Sequence, residues 1–241
     1  MRVVRLAEVD STNRFVLDAA HAGEEAGLVV VADHQVAGRG RLGRTWEAVP
    51  GSSLLLSVLL RPRRTVDGLH LCTAGVALAM ADAVADVAGF TPGLKWPNDL
   101  LVDGRKLAGV LAEADVGASG TVRAVVVGIG INVGADAVPP DLTATATACE
   151  VVAGRTVDRE RLLDAFLRHL ATRLDSSDDV LLDHYRARLE TIGARVRIER
   201  AVGPIEGVAR DVDDLGGLVV EAPDGSRVTI SAGDVVHLRR V

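Results

Sequence analysis

The sequence predicts an α+β chain in two parts, a larger one of interspersed strands and helices and a small all-β one at the C-terminal end. Short Val/Leu-rich runs bounded by Gly, Pro or charge read as strands, as in Leu28–Ala32 and Ser53–Leu60. Other stretches carry helical periodicity: Leu162, Leu163, Phe166, Leu167 and Leu170 share one face of Asp158–Leu174. From Arg195 the texture changes to short strands with turns at regular spacing, which reads as a small barrel or sandwich. Helical chemistry stops at Gly193, which divides the chain into domains 1–192 and 193–241.

Composition narrows the class. At 241 residues the chain suits one domain of ordinary size with a small one appended. It is 48 % hydrophobic but only 2 % aromatic, so the core must be Ala, Val and Leu. A net charge of −6 argues against nonspecific binding to nucleic acid or an acidic membrane. Cys72 and Cys149 lie far apart, in apolar contexts and without metal-ligand spacing, and read as small buried hydrophobes. Met1–Leu6 lacks the apolar core of a signal peptide. Asp82 and Asp86 interrupt the apolar stretch Leu71–Gly89, which reads as an Ala-rich buried helix rather than a membrane span. The expected location is the cytoplasm.

In chain order, Ser11-Thr12-Asn13 precedes a short helical pattern over Arg14–Ala20. Each is a preferred helix N-cap, but capping needs only one of them. The other polar groups could hold a polar ligand head. Gly23 and Gly27 break the chain before the strand Leu28–Ala32.

The next loop, His34–Trp46, puts three glycines and three arginines into the seven residues Gly38–Arg44. Glycines let a backbone approach a ligand closely, and arginines offer planar, permanently charged forks for phosphate or carboxylate. A dinucleotide fingerprint over Gly38, Gly40 and Gly43 would need a helix directly afterwards, whereas Thr45–Gly51 and then a strand follow. A kinase-type loop would need a Val-Ala-Ile-Lys-like strand and a His-Arg-Asp loop, and neither is present. A phosphate-binding loop and a plain solvated basic tip remain.

Leu54–Arg61 is continuously apolar, as a central strand would be, and Arg61, Arg63 and Arg64 read as surface charges. Leu69–Val87 is the buried helix. Lys95 enters a strand just before Trp96-Pro97, where it could aim into the sheet or snorkel at an edge. Asp103-Gly104 signals a hairpin turn, and Arg105–Glu113 returns as the partner strand. Thr121–Val127 runs as a strand into Gly128-Ile129-Gly130-Ile131-Asn132-Val133, whose alternate glycines leave one face bare for a ligand or another strand. Ala137–Pro140 reads as a loop, and Thr143–Val152, Asp158–Leu174 and Asp178–Glu190 as helices. Five short strands follow, around Val196–Ile198, Gly207–Ala209, Leu218–Val220, Val228–Ile230 and Val235–Leu238, and His237 reads as structural.

Five motifs then fall in order. They are Ser11-Thr12-Asn13, Gln35 with Gly38–Trp46, Lys95-Trp96-Pro97-Asn98-Asp99, Lys106–Leu111 and Gly128–Val133. As a set they resemble the biotin–protein ligases (biotin–[acetyl-CoA carboxylase] ligases) over nearly the whole chain. The resemblance implies a mixed β-sheet with flanking helices, similar to the class II aminoacyl-tRNA synthetase catalytic domain, plus a small C-terminal SH3-like β-barrel. It implies attack of the biotin carboxylate on the α-phosphate of MgATP, giving biotinyl-5′-AMP and pyrophosphate. A lysine of a biotin carboxyl carrier domain then takes the biotin.

The resemblance also implies roles. Lys95, Arg39 and Arg41 would be catalytic, supplying fixed positive charge where charge builds on the phosphoryl oxygens, together with backbone N–H groups around Gly38 and Gly40. Ser11, Thr12, Asn13, Gln35, Gly38, Arg39, Gly40, Arg41, Lys95, Gly109, Gly128 and Gly130 would form the biotin site. Gly128 and Gly130 would leave room for the bicyclic ring, and Trp46 and Trp96 would supply apolar wall. Arg39, Arg41, Arg44, Trp46, Lys95, Asn98 and Asn132 would bind nucleotide. Mg²⁺ would offset charge on the pyrophosphate, with ligands the sequence does not name. The Gly/Arg loop would act as a lid, so Arg41→Gly would leak activated biotin. Some members carry an N-terminal winged helix-turn-helix and act as repressors. Here Ser-Thr-Asn begins at position 11, so a ligase without nucleic-acid or membrane partners is expected, as monomer or homodimer. A lipoate- or octanoate-type ligase and a non-catalytic biotin sensor are the alternatives.

Overall fold

Strand β3 (Ser53–Leu60) is buried at every position because both faces of the sheet around it are covered. The computed structural model describes residues 1–62, 66–118, 120–199, 203–231 and 233–237, without the side chains of Asp67, Asp234, Val236 and His237. The expectations for Arg63, Arg64, Leu238 and the His237 side chain lie outside the described residues.

The larger sheet is mixed and has seven strands. From edge to edge it runs β1 (Arg2–Val9), β2 (Leu28–Gln35), β3, β7 (Val122–Asn132), β6 (Arg105–Val116), β5 (Asp99–Val102) and β4 (Gly93–Lys95). Strands β1 and β2 are parallel and every other pair is antiparallel. Edge strand β1 has no counterpart in the sequence reading, because Arg2, Arg5 and Glu8 interrupt its apolar pattern.

The period-2 alternation along the strands splits the core into two layers. Leu28, Val30, Leu59 and Val126 meet Val16 and Ala20 of helix α1 (Thr12–His21) on one face. Val29, Val31, Leu54, Leu56 and Val58 belong to the other layer, with helix α2 (Leu69–Ala88). Helix α2 is long and apolar enough to cross a membrane, but 78 % of its most apolar window is buried inside the protein. Its Ala-rich surface lets α4 (Arg159–Leu174) and α5 (Asp178–Arg188) pack against it. Helix α4 starts at an N-cap, with Asp158 accepting the N–H groups of Glu160 and Arg161. Both cysteines are buried and neither forms a disulfide; burial pushes the Cys149 thiol up to about 12.

The helix expected over Thr143–Val152 is corrected to α3 (Cys149–Ala153). Its N-terminal half serves as an extra pairing segment instead. Lys106 N–H donates to Thr145 O at 2.8 Å, and Thr147 N–H to Lys106 O at 2.9 Å. Residues 143–145 turn on the Leu142 carbonyl, which accepts the N–H groups of Thr145 and Ala146, and Ala146 forms the bridge to Lys106.

The C-terminal part is a five-stranded antiparallel sheet, as expected of a small SH3-like domain. Its order is β11 (Arg227–Ile230), β10 (Leu218–Glu221), β9 (Ile205–Val212), β8 (Arg195–Glu199) and β12 (Asp234–His237). It docks on the larger part through Trp96, which is 1 % exposed. The indole Nε1 donates to Gly216 O at 2.9 Å, and the ring stacks on His70 with centroids 5.6 Å apart. Trp96 therefore joins the two parts and supplies no ligand wall, which corrects the sequence expectation.

Candidate active site

Ser11 caps α1 with extended backbone, yet its side chain makes no capping bond, so its hydroxyl is left to the adjacent cavity. Thr12 and Asn13 follow on the first turn and face the sheet. Gln35 Oε1 accepts the Thr12 N–H at 2.7 Å and lies 3.1 Å from the Thr12 hydroxyl. Fully buried Ser57, on β3, lies 2.7 Å from Thr12 Oγ1 and 2.6 Å from Asn13 Oδ1. Asn13 Nδ2 donates to Leu111 O at 3.1 Å and to Glu113 Oε2 at 2.8 Å. Buried polar groups are satisfied one through the next, so this end of the cavity is rigid. Sequence reasoning missed Ser57, in a strand that reads as continuously apolar, and Glu113, at the end of the returning hairpin strand.

The floor is the glycine face. Gly109 on β6 pairs with Gly130 on β7, and Leu111 with Gly128. The Trp46 indole lies flat on this bare surface: a Cβ at Gly130 would come within 2.7 Å of Trp46 Cε2, and one at Gly109 within 3.3 Å of Cζ3. At Gly128 a Cβ would collide with the Asn13 amide. The expectation of open room over Gly128 and Gly130 is therefore corrected. The space left beside Ser11, Gln35 and Arg39 is about 30 Å³, enough for little more than a water molecule. A larger ligand needs the indole or the loop to swing aside.

The Gly/Arg loop is a tight hairpin, with Trp46 N–H donating to Gly38 O at 3.0 Å and Gly40 N–H to Arg44 O at 2.7 Å. Gly38 is required because a Cβ there would collide with the Trp46 carbonyl. The Gly40 amide is spent inside the hairpin, so it does not supply the anion-binding N–H expected of it. Arg39 reaches the cavity mouth, where Nη2 lies 2.9 Å from Glu113 Oε2. Arg41 points elsewhere, which corrects its placement in the biotin site: Nη1 donates to Asn98 Oδ1 and Nη2 to Gly233 O of the small domain, each at 3.2 Å. Asn98 is thus brought to Arg41 rather than to Asn132. Arg44 lines the outer groove of the loop together with Arg39 and Arg41. Leu42 at the tip is 72 % exposed and takes φ +55°, a conformation that a leucine adopts only at a cost.

A second cavity of about 340 Å³ shares Trp46 as a wall and is lined also by Lys106, Asn132, Val138 and Leu142. Asn132 Nδ2 donates to Thr147 O at 3.0 Å. Among the described residues five buried side-chain polar atoms have no hydrogen-bond partner, and three of them, Trp46 Nε1, Ser53 Oγ and Thr147 Oγ1, belong to residues in or beside this cavity. Orphaned polar atoms favour a polar occupant.

Lys106 stands where the two cavities meet. Its Nζ is 5.7 Å from the Trp46 ring centroid, 2.7 Å from Asp99 Oδ1, and 3.1 Å from where a Gly109 Cβ would be. The Asp99 contact is out of line for a hydrogen bond, so it steers the ammonium without fixing its protons. Lys95 lies on the outermost strand, β4, and lines neither cavity. Of the two lysines, Lys106 rather than Lys95 lines the second cavity. Among the described residues no three His, Cys, Asp or Glu side chains cluster as a metal site.

A polar pocket with a cationic mouth, adjoining a larger cavity at a lysine, can hold a small acid end to end with a nucleotide once the Trp46 indole or the loop swings aside. Residues 6–132 match the biotin/lipoate A/B protein ligase family, and the chain belongs to it. Residues 191–238 match the biotin protein ligase C terminal domain. The chain is 40 % identical to the biotin–[acetyl-CoA-carboxylase] ligase of Mycobacterium tuberculosis, across 97 % of this chain and 88 % of that protein. The biotin protein ligase of Aquifex aeolicus, in complex with biotin and ATP, superimposes with a TM-score of 0.84 at 27 % identity, covering 99 % of both chains. The ligase of Leishmania major in complex with biotinyl-5-AMP gives 0.67 at 25 % identity, covering 96 % of this chain and 99 % of that one. Within the family, the chain is a biotin–protein ligase.

Proposed function

We propose that the enzyme activates biotin as biotinyl-5′-AMP and transfers it to a lysine of the biotin carboxyl carrier domain of acetyl-CoA carboxylase or a related carboxylase. The observation that carries this reading is Lys106 at the junction of a polar-ended pocket and a nucleotide-sized cavity. The ureido head needs donors and acceptors without charge, which Ser11, Thr12 and Gln35 supply. The carboxylate then meets the α-phosphate beside Lys106, with Arg39 at the mouth. A carboxylate oxygen bonds to phosphorus, the bond to the β-phosphate oxygen breaks, and pyrophosphate leaves. Lys106 neutralises charge growing on the α-phosphoryl oxygens. Magnesium held by the nucleotide phosphates would offset charge on the departing pyrophosphate. In the second step the acceptor amine attacks the acyl carbon and AMP leaves. The reaction is placed in the cytoplasm, where MgATP is available. The biotin- and ATP-bound relative and the biotinyl-5-AMP-bound relative support this order of events.

The test is ATP–pyrophosphate exchange with biotin, lipoate or octanoate added separately. Exchange with biotin alone is expected. Exchange with lipoate or octanoate instead would move the chain to that branch of the family, and no exchange from folded, biotin-binding protein would favour a sensor. Addition of an apo-carrier domain then reads transfer.

Arg41→Gly should release the intermediate. Arg41 ties the loop to Asn98 and to Gly233, and glycine removes both ties. Biotinylation of a bystander protein such as albumin, against the specific acceptor, is expected to rise about tenfold or more. Selectivity equal to the wild type would show that the loop does not retain the adenylate.

A further inference from the structure

The polar end of the first cavity and the loop at its mouth meet at one atom, Glu113 Oε2. It accepts from Asn13 Nδ2 at 2.8 Å and from Arg39 Nη2 at 2.9 Å. The Glu113 side chain is 26 % exposed and that of Arg39 43 %, so this contact lies at the boundary between interior and solvent.

Proton directions run one way from there. The Leu111 carbonyl and the Glu113 carboxylate only accept, so they fix which end of the Asn13 amide carries nitrogen. The Asn13 carbonyl also only accepts, so the single proton of Ser57 goes to it, and the Thr12 hydroxyl supplies the second short Ser57 contact. Independently of this relay, the backbone N–H of Thr12 donates to the Gln35 carbonyl, which leaves the Gln35 amide nitrogen as a donor beside Gly38. Both protons of the Asn13 amide nitrogen are spent on Leu111 and Glu113, so Asn13 keeps no donor for a ligand.

We propose that Glu113 is a positioning residue which couples closure of the Arg39 loop to the groups that read the ligand's polar head. Its carboxylate docks the loop arginine and at the same time holds Asn13, and through Asn13 and Ser57 it sets the direction of the Thr12 hydroxyl. The choice of biotin as probe rests on the proposed function.

The test compares Glu113→Gln and Glu113→Ala with the wild type in two measurements. In ATP–pyrophosphate exchange, Glu113→Ala is expected to raise the KM for biotin roughly tenfold or more, with the KM for ATP within about twofold. Glu113→Gln keeps an acceptor for Asn13 and should recover most of the biotin affinity. In amide hydrogen exchange of the ligand-free protein, residues 37–46 should exchange faster in both variants, because neither keeps a carboxylate for Arg39. Equal biotin KM in the two variants, or loop exchange unchanged in both, overturns the proposal. If the wild type shows no biotin-dependent exchange, the biotin reading fails, and the ligand-free loop measurement still decides the role of Glu113.

Discussion

Lys106→Met is expected to lower biotin-dependent ATP–pyrophosphate exchange by about 10²–10³-fold, the usual effect of removing one preorganised charge at a developing anion. The Lys106 ammonium lies against the Gly109 floor of one cavity and over the Trp46 wall of the other, with Asp99 holding it from behind. No other described lysine lines either cavity. Methionine keeps the length and apolar stem and removes only the charge. Lys106→Arg should not rescue, because a planar guanidinium is wider than the space beside Gly109, where a Cβ would already be 3.1 Å from Nζ. Lys95→Met on edge strand β4 should stay within about threefold of the wild type, as for a substitution away from the site. Single-turnover formation of biotinyl-5′-AMP separates the chemical step from product release. A loss of adenylate formation in Lys95→Met with Lys106→Met near normal would reverse the assignment.

The sequence points to Lys95 and the geometry favours Lys106, and what separates the two is a register shift. Both lysines stand at the ends of strand-like motifs, and spacing alone does not say which side chain faces the site. Opposite β5, Asp99 pairs with Gly109 and Leu100 with Ala108, but Leu101 pairs with Lys106, so Leu107 is skipped. This bulge re-aims Lys106, as bulges beside active sites commonly do. The pairing of Lys106 with residues 145–147 was equally hidden, because those threonines were read as helix. What was legible was local: the hairpin at Asp103-Gly104, the amphipathic helix α4, the glycine face of β7 and the Arg39 loop each follow from residue type at a fixed spacing. The glycine face showed that something flat lies on it. Only the fold shows that in the ligand-free chain the flat object is the Trp46 indole. Trp96 was misread for a related reason: its partner, Gly216, is 120 residues away.

Asp82→Asn is expected to destabilise the fold by about 3–5 kcal/mol, the usual consequence of removing one member of a buried ion pair. Asp82 lies on α2 and receives two arginines: Arg173 Nη2 of α4 on Oδ2 and Arg188 Nη2 of α5 on Oδ1, each at 2.6 Å. Asp82 and Arg173 are each 13 % exposed, so the contact joins three helices in a poorly hydrated place. Asparagine nearly preserves the shape but leaves two guanidinium groups without a counter-charge. For a chain of this size the loss corresponds to a fall in Tm of roughly 6–20 °C. The sign of the pH dependence follows from the carboxylate. Burial alone would raise its pKa, but the Arg173 hydrogen bond and the charges of Arg188 and Arg173 outweigh burial and hold it below the usual carboxylate range. Stability from Asp82 is therefore fully present above the unfolded-state value of about 4 and is lost as pH falls through the lower folded-state value. Melting curves of the wild type and Asp82→Asn should differ most near neutral pH and converge on acidification below pH ~4. A constant difference in Tm across that range would mean that the carboxylate charge is not what holds α2, α4 and α5 together.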